Sequence, residues 1–171
     1  MTARIILMIV TLSLLGACGP QDEQIARPRE PDANSIGFFC RMGLAEHTGP
    51  KGQILPKGWT NPLWFSSVRD ALTYAEMEVV SEREMAGFWV NDMAQGTWEK
   101  PAVGSWIAAQ EAWYAIDSRK ASGMGGSEAV PFAAKSAAEA FVKANGGRVV
   151  DYAEAKHSVA AGTPPASAGE T

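Results

Sequence analysis

Two stretches of the chain constrain its fold more than any other feature. Trp64–Tyr74, "WFSSVRDALTY", can be laid on Pro131–Phe141, "PFAAKSAAEAF", without a gap. Phe65 then falls on Phe132, Ala71 on Ala138 and Tyr74 on Phe141. In each copy a strand or turn enters a helix after an aromatic residue. A unit of this kind cannot bury its apolar face alone, so its repetition predicts two α+β lobes, each a few strands with one helix. The predicted helix caps, Ser67 with Asp70 and Ser136 with Glu139, do not fall on equivalent positions.

The elements around this repeat follow from local pattern. "IGFFCRM" (36–42) reads as a strand by its aromatics, and "KGQILPKG" as a short strand between glycine turns. "SVRDALTYAEMEVV" is a helix with Val68, Leu72 and Ala75 on one face. "MAGFWVND" reads as a strand. In "WIAAQEAWYAID" the first half suits a helical turn and the second half a strand. Pro131 makes "EAVPFAA" an edge strand. "SAAEAFVKANGG" is a helix stopped by Asn145-Gly146-Gly147, and "RVVDYAEA" a closing strand. The division expected from this order is a lobe at about 36–80 and another at about 85–153.

Both ends are poor in core-forming residues. Gln21–Ser35 is polar and proline-rich and reads as a tether; residues 157–171 are small, polar and proline-rich and read as a disordered tail. Before the tether stands a leader, "MTARIILMIVTLSLLGACGP", with Arg4 ahead of an apolar run too short to span a bilayer well. Leu15-Gly16-Ala17-Cys18 resembles the lipobox of bacterial lipoproteins. That resemblance implies cleavage after residue 17 and lipid on Cys18. Gly19, rather than an aspartate, implies sorting to the outer membrane. The formal net charge of −4 gives no sign of a nucleic-acid surface.

Lipidation would use one of the two cysteines and leave Cys40 without a partner in the chain. A lone thiol in an exported protein calls for a reason: burial, an intermolecular disulfide, a catalytic role or a metal. In a strand, Cys40 and Met42 share a face, and a thiolate beside a thioether is a donor pair that selects Cu(I) over harder ions. Met124 sits between glycines in "KASGMGGSEAV", where a core role is unnatural, and is a third candidate ligand if the second lobe folds onto the first. His47 is a further candidate, though its loop favours a solvated histidine. The plainer alternatives are Cys40 as a small buried apolar residue and Met42 as core filler.

Taken in order, the lipobox, "CRMG", an F-x-x-x-x-D-A helix and a glycine-bracketed methionine before F-x-x-x-x-x-A-E-x-F resemble the NosL family, accessory lipoproteins of nitrous oxide reductase. The likeness runs through most of residues 36–153. It implies an α+β fold of two small ββαβ-like lobes in one globular unit, with Cys40, Met42 and Met124 holding Cu(I). Asp92 and Trp106 match an Asp and a Trp of the family. The resemblance further implies a periplasmic copper chaperone, not an enzyme. Its implied partner is the copper-site assembly complex of nitrous oxide reductase, an ABC transporter with its periplasmic subunit. The alternative from another class is a metal-free scaffolding lipoprotein using its tryptophans to bind a protein.

Overall fold

The structure, a computed structural model, describes residues 26–77, 80–123 and 125–162. Strands β1 (Gly52–Pro56), β2 (Leu63–Phe65), β3 (Met85–Asn91) and β4 (Trp106–Ala108) form one antiparallel sheet in the order β2-β1-β3-β4. Strands β5 (Trp113–Ile116), β6 (Val130–Phe132) and β7 (Arg148–Val150) form a second, in the order β6-β5-β7. Helix α1 (Val68–Glu76) lies between β2 and β3, and α2 (Lys135–Asn145) between β6 and β7. Each lobe is therefore a ββαβ unit whose first strand is central and whose helix carries the chain from one edge to the other. Helix α3 (Tyr152–Ala160) follows β7 and packs on α1 and β5.

The repeat is visible in side chains. Phe65 ends β2 and its ring lies 5.3 Å from that of Tyr74 on α1. Phe132 ends β6 and its ring lies 5.3 Å from that of Phe141 on α2. Each helix begins at the third residue after its strand-closing phenylalanine. The cap of α2 corrects the sequence expectation: it is Ala134, with Ser136 inside the first turn. Ala134 is the equivalent of Ser67, which caps α1 by accepting from the Asp70 amide. The caps do line up; in the second lobe the capping hydroxyl is missing.

Four other expectations change. The lobe division falls later than residues 80–85, because β3 closes the first ββαβ unit and β4 extends its sheet. "DYAEA" opens α3 rather than continuing a strand, since the Asp151 carboxylate caps the Glu154 amide. The same helix occupies 157–160, the start of the expected tail. Part of the expected tether is docked: Arg29 and Gln53 exchange two hydrogen bonds of 2.9 Å, and the Glu30 carboxylate accepts from Trp106 Nε1 at 3.0 Å. Pro131 stands on the edge strand as expected, and its carbonyl accepts from Met93 N of the first lobe.

One core joins the lobes. Ile54, Phe65, Val68, Leu72 and Phe88 meet Tyr114, Ile116, Val150 and Ala155, all buried. Large apolar side chains buried this fully contribute about 1.5–3 kcal/mol each against an exposed reference. A second cluster, Ala115, Val130, Phe132 and Ala138, holds α2 to its sheet. Two buried carboxylates cross between lobes. Glu128, just before β6, accepts from Arg69 N in the first turn of α1 at 2.9 Å. Asp92, just after β3, accepts from Ala133 N ahead of α2 at 3.2 Å. Each lobe thus supplies a carboxyl oxygen to the start of the other's helix.

Candidate metal centre

The segment read as a strand, 36–42, is a tight loop. Ile36 pairs with Gly43 across its mouth, Gly37 N donates to Met42 O, and Arg41 N donates to Gly37 O, both at 2.9 Å. Arg41 has φ 59°, in the left-handed region, so the chain reverses between Cys40 and Met42. The strand argument that set those two side chains on one face does not hold. The aromatics that suggested a strand serve as anchors: Phe38 lies 5.2 Å from Tyr74 and Phe39 lies 5.7 Å from Phe65, ring centre to ring centre. The loop is also tied to β2, with Phe38 N donating to Trp64 O at 2.7 Å.

This loop sets Cys40 against two groups. Its Sγ lies 3.2 Å from Ser66 Oγ and 3.9 Å from His47 Nε2. His47 is 9% exposed, not the solvated loop residue expected, because the turn Leu44–Glu46 folds it inward. Its Nδ1 lies 3.3 Å from the Gly123 carbonyl. A carbonyl only accepts, so Nδ1 carries the proton and Nε2 presents its lone pair toward the sulfur. A carbonyl behind one ring nitrogen is the usual support of a metal-binding imidazole. With bonds of about 2.3 Å to sulfur and about 2.0 Å to nitrogen, typical of first-row ions, the 3.9 Å gap closes on one ion at about 130°.

Two glycines make this approach possible. A Cβ on Gly37 would stand 2.5 Å from both Cys40 Sγ and Ser66 Oγ. A Cβ on Gly123 would stand 2.8 Å from the His47 Cβ and 2.9 Å from the Thr48 carbonyl. Gly123 belongs to the loop closed by the Ala121–Ser127 pairing in the second lobe, so that loop reaches the site. Met124 itself and Cys18 lie outside the described residues. Met42 is 42% exposed at the loop's outer end. Asp92 is an inter-lobe tie and Trp106 a partner of Glu30; the sulfur's hydrogen-bond partners are Ser66 and His47. Sequence reasoning missed Ser66 and Gly37, and read Gly123 only as a neighbour of Met124 that lets the backbone come close. Gly123 adjoins the candidate Met124 and Gly37 stands three residues before Cys40, a detectable signal; nothing in the sequence points to Ser66.

Buried charge surrounds the site. Lys51 Nζ donates to the Thr48 and Gly49 carbonyls and so fixes the chain after His47. Burial lowers its pKa to about 8, against the pull of Glu128. Burial raises Glu128 to about 8, against the Arg69 and Ala129 amides that hold Oε1. Among the described residues Oε2 has no hydrogen-bond partner, which adds to the cost of ionising it. Burial also raises the Asp70 carboxyl above its usual value, against the Ser67 hydrogen bond.

A family model described as NosL matches residues 28–160. The chain belongs to the NosL family. Among its relatives, the copper-binding lipoprotein NosL of Achromobacter cycloclastes is 42% identical over 88% of this chain and 79% of that protein. The copper-binding lipoprotein NosL of Stutzerimonas stutzeri is 31% identical over 82% of this chain and 73% of that protein. The crystal structure of the copper chaperone NosL from Shewanella denitrificans superposes with a TM-score of 0.69 at 27% identity, covering 75% of this chain and 94% of that one. Cys40, Met42, His47 and Met124 all fall within the NosL match, and Cys18 precedes it.

Proposed function

We propose that this chain is a lipid-anchored periplasmic carrier of Cu(I) that delivers copper for the assembly of nitrous oxide reductase. The observation that carries the reading is the pairing of Cys40 Sγ with His47 Nε2 at 3.9 Å, the histidine backed by a carbonyl from the other lobe. Thiolate, imidazole and thioether donors together suit a soft monovalent copper ion. Cys40 and His47 hold the ion, and Met42 and Met124 are its thioether ligands. An exposed Met42 suits a carrier, because a ligand at the open side is the first to be exchanged for a partner's donor. The copper–thiolate bond goes last.

The recipient we propose is the copper-site assembly complex, an ABC transporter with its periplasmic subunit. Lipid on Cys18, with outer-membrane sorting by Gly19, would confine the search for that partner to a membrane surface. The position of Cys40 beside a buried imidazole weighs against the metal-free scaffolding alternative, which needs no such pairing. The test is complementation. In a denitrifying bacterium lacking its own copy of this gene, the wild-type chain restores copper to purified nitrous oxide reductase and Cys40→Ser does not. Full copper loading with Cys40→Ser would overturn the proposal.

A further inference from the structure

We infer that Ser66 is a positioning residue for the copper ion, one that donates a hydrogen bond to the Cys40 sulfur and makes the metal easier to release. The inference rests on the copper reading above. Ser66 is 1% exposed, and its Oγ lies 3.2 Å from Cys40 Sγ. Among the described residues that hydroxyl has no other partner, and a buried hydroxyl left unpaired is costly. Its backbone is held from both sides, by Phe65 at the end of β2 and by Ser67 at the cap of α1. Ser67 is extended, with its hydroxyl turned to the helix, so Ser66 projects the other way, toward the sulfur.

The repeat supplies an independent observation. Ser66 and Ser67 are equivalent to Ala133 and Ala134 of the second lobe, which has no cysteine loop against it. A hydroxyl stands at this position only in the lobe that carries the thiol. The Gly37 contact adds to this: a Cβ there would strike the serine oxygen and the sulfur together, so the loop leaves room for the pair as a unit.

Copper binds the thiolate, which has no proton to give. In the loaded protein the hydrogen bond can therefore run only from Ser66 to sulfur. Being charge-assisted, it is stronger than a neutral bond. It draws electron density that would otherwise go to copper and fixes which sulfur lone pairs face the ion. The copper–sulfur bond is weaker as a result, which serves a protein that must let go.

The experiment uses the exported chain loaded anaerobically with Cu(I). The thiolate-to-copper absorption band and the rate of copper loss to a coloured Cu(I) chelator are followed in wild type, Ser66→Ala and Ser66→Thr. The expected result is a band moved to longer wavelength in Ser66→Ala and release slowed about tenfold, a change of the size outer-shell groups usually make in metal affinity but of opposite sign, because this hydrogen bond weakens the copper–sulfur bond. Ser66→Thr keeps the hydroxyl and stays near wild type. A band and rate unchanged in a folded Ser66→Ala protein, or faster release with no band shift, would overturn the role given to Ser66. Absence of any copper band in wild type would overturn the copper reading and this inference together.

Discussion

Cys40, His47 and Ser66 are brought together by residues that contribute no chemistry. Gly37 is the sharpest case. Its Cβ would fall 2.5 Å from both the thiol sulfur and the serine oxygen. Gly37→Ala should leave the two sheets and their shared core intact, since Gly37 belongs to neither, yet push Cys40 off its partners. The expected outcome is copper binding weakened at least about tenfold, in the range seen when a ligand's supporting shell is disturbed, with an unchanged circular dichroism spectrum. Equal affinity in the variant would refute the geometry. At this scale the sequence was partly legible. The cysteine count singled out Cys40, which the structure sets beside His47; Met42 was singled out by a strand spacing that the loop does not have, and Met124, chosen for its flanking glycines, lies outside the described residues. His47 was underrated because a polar loop reads as solvated, whereas its burial depends on Gly123 arriving from 76 residues away. Ser66 was invisible for the same reason: its partner lies 26 residues distant, and a lone serine carries no pattern.

The elements show where local pattern suffices and where tertiary contacts override it. The strand–turn–helix repeat and the Ser67 cap were readable, because strand-closing aromatics and capping residues act locally. The 36–42 segment was misread as a strand because β-propensity reports a fit to packed surfaces, and Phe38 and Phe39 find that fit on Phe65 and Tyr74. Glu128 belongs at this scale too, as a buried carboxyl group whose Oε1 accepts at the start of α1 from the other lobe. Its pKa rises from 4.5 to about 8 on folding. Between those values the folded chain keeps a proton that the unfolded chain has released, so stability falls as pH rises across the window. Lys51 acts in the opposite sense above it: between about 8 and 10.5 the unfolded chain holds the extra proton, and stability recovers. Denaturant unfolding should thus show a minimum near pH 8. Glu128→Gln, which keeps an oxygen for the Arg69 and Ala129 amides, should flatten the fall from pH 5 to 8. An unchanged slope would mean that Glu128 is ionised in the folded protein.

At the scale of the whole molecule, two ββαβ units share one core, exchange carboxylates at their helix starts, and meet where the Gly123 carbonyl supports His47. The two-lobe plan was legible from one internal likeness. The position of β3 was not, because which sheet a strand joins depends on pairing partners far along the chain. The site belongs to both lobes: the first brings Cys40, Ser66 and His47, and the second brings the loop around Gly123. The most direct measurement is an anaerobic Cu(I) titration of the domain lacking residues 1–18 against a coloured Cu(I) chelator, beside Cys40→Ser, His47→Ala and Met124→Ala. The account predicts one copper per chain in wild type, no retention with Cys40→Ser, and affinity reduced about tenfold or more with His47→Ala and with Met124→Ala. Failure of the intact domain to compete with the chelator, or His47→Ala binding as tightly as wild type, would contradict it.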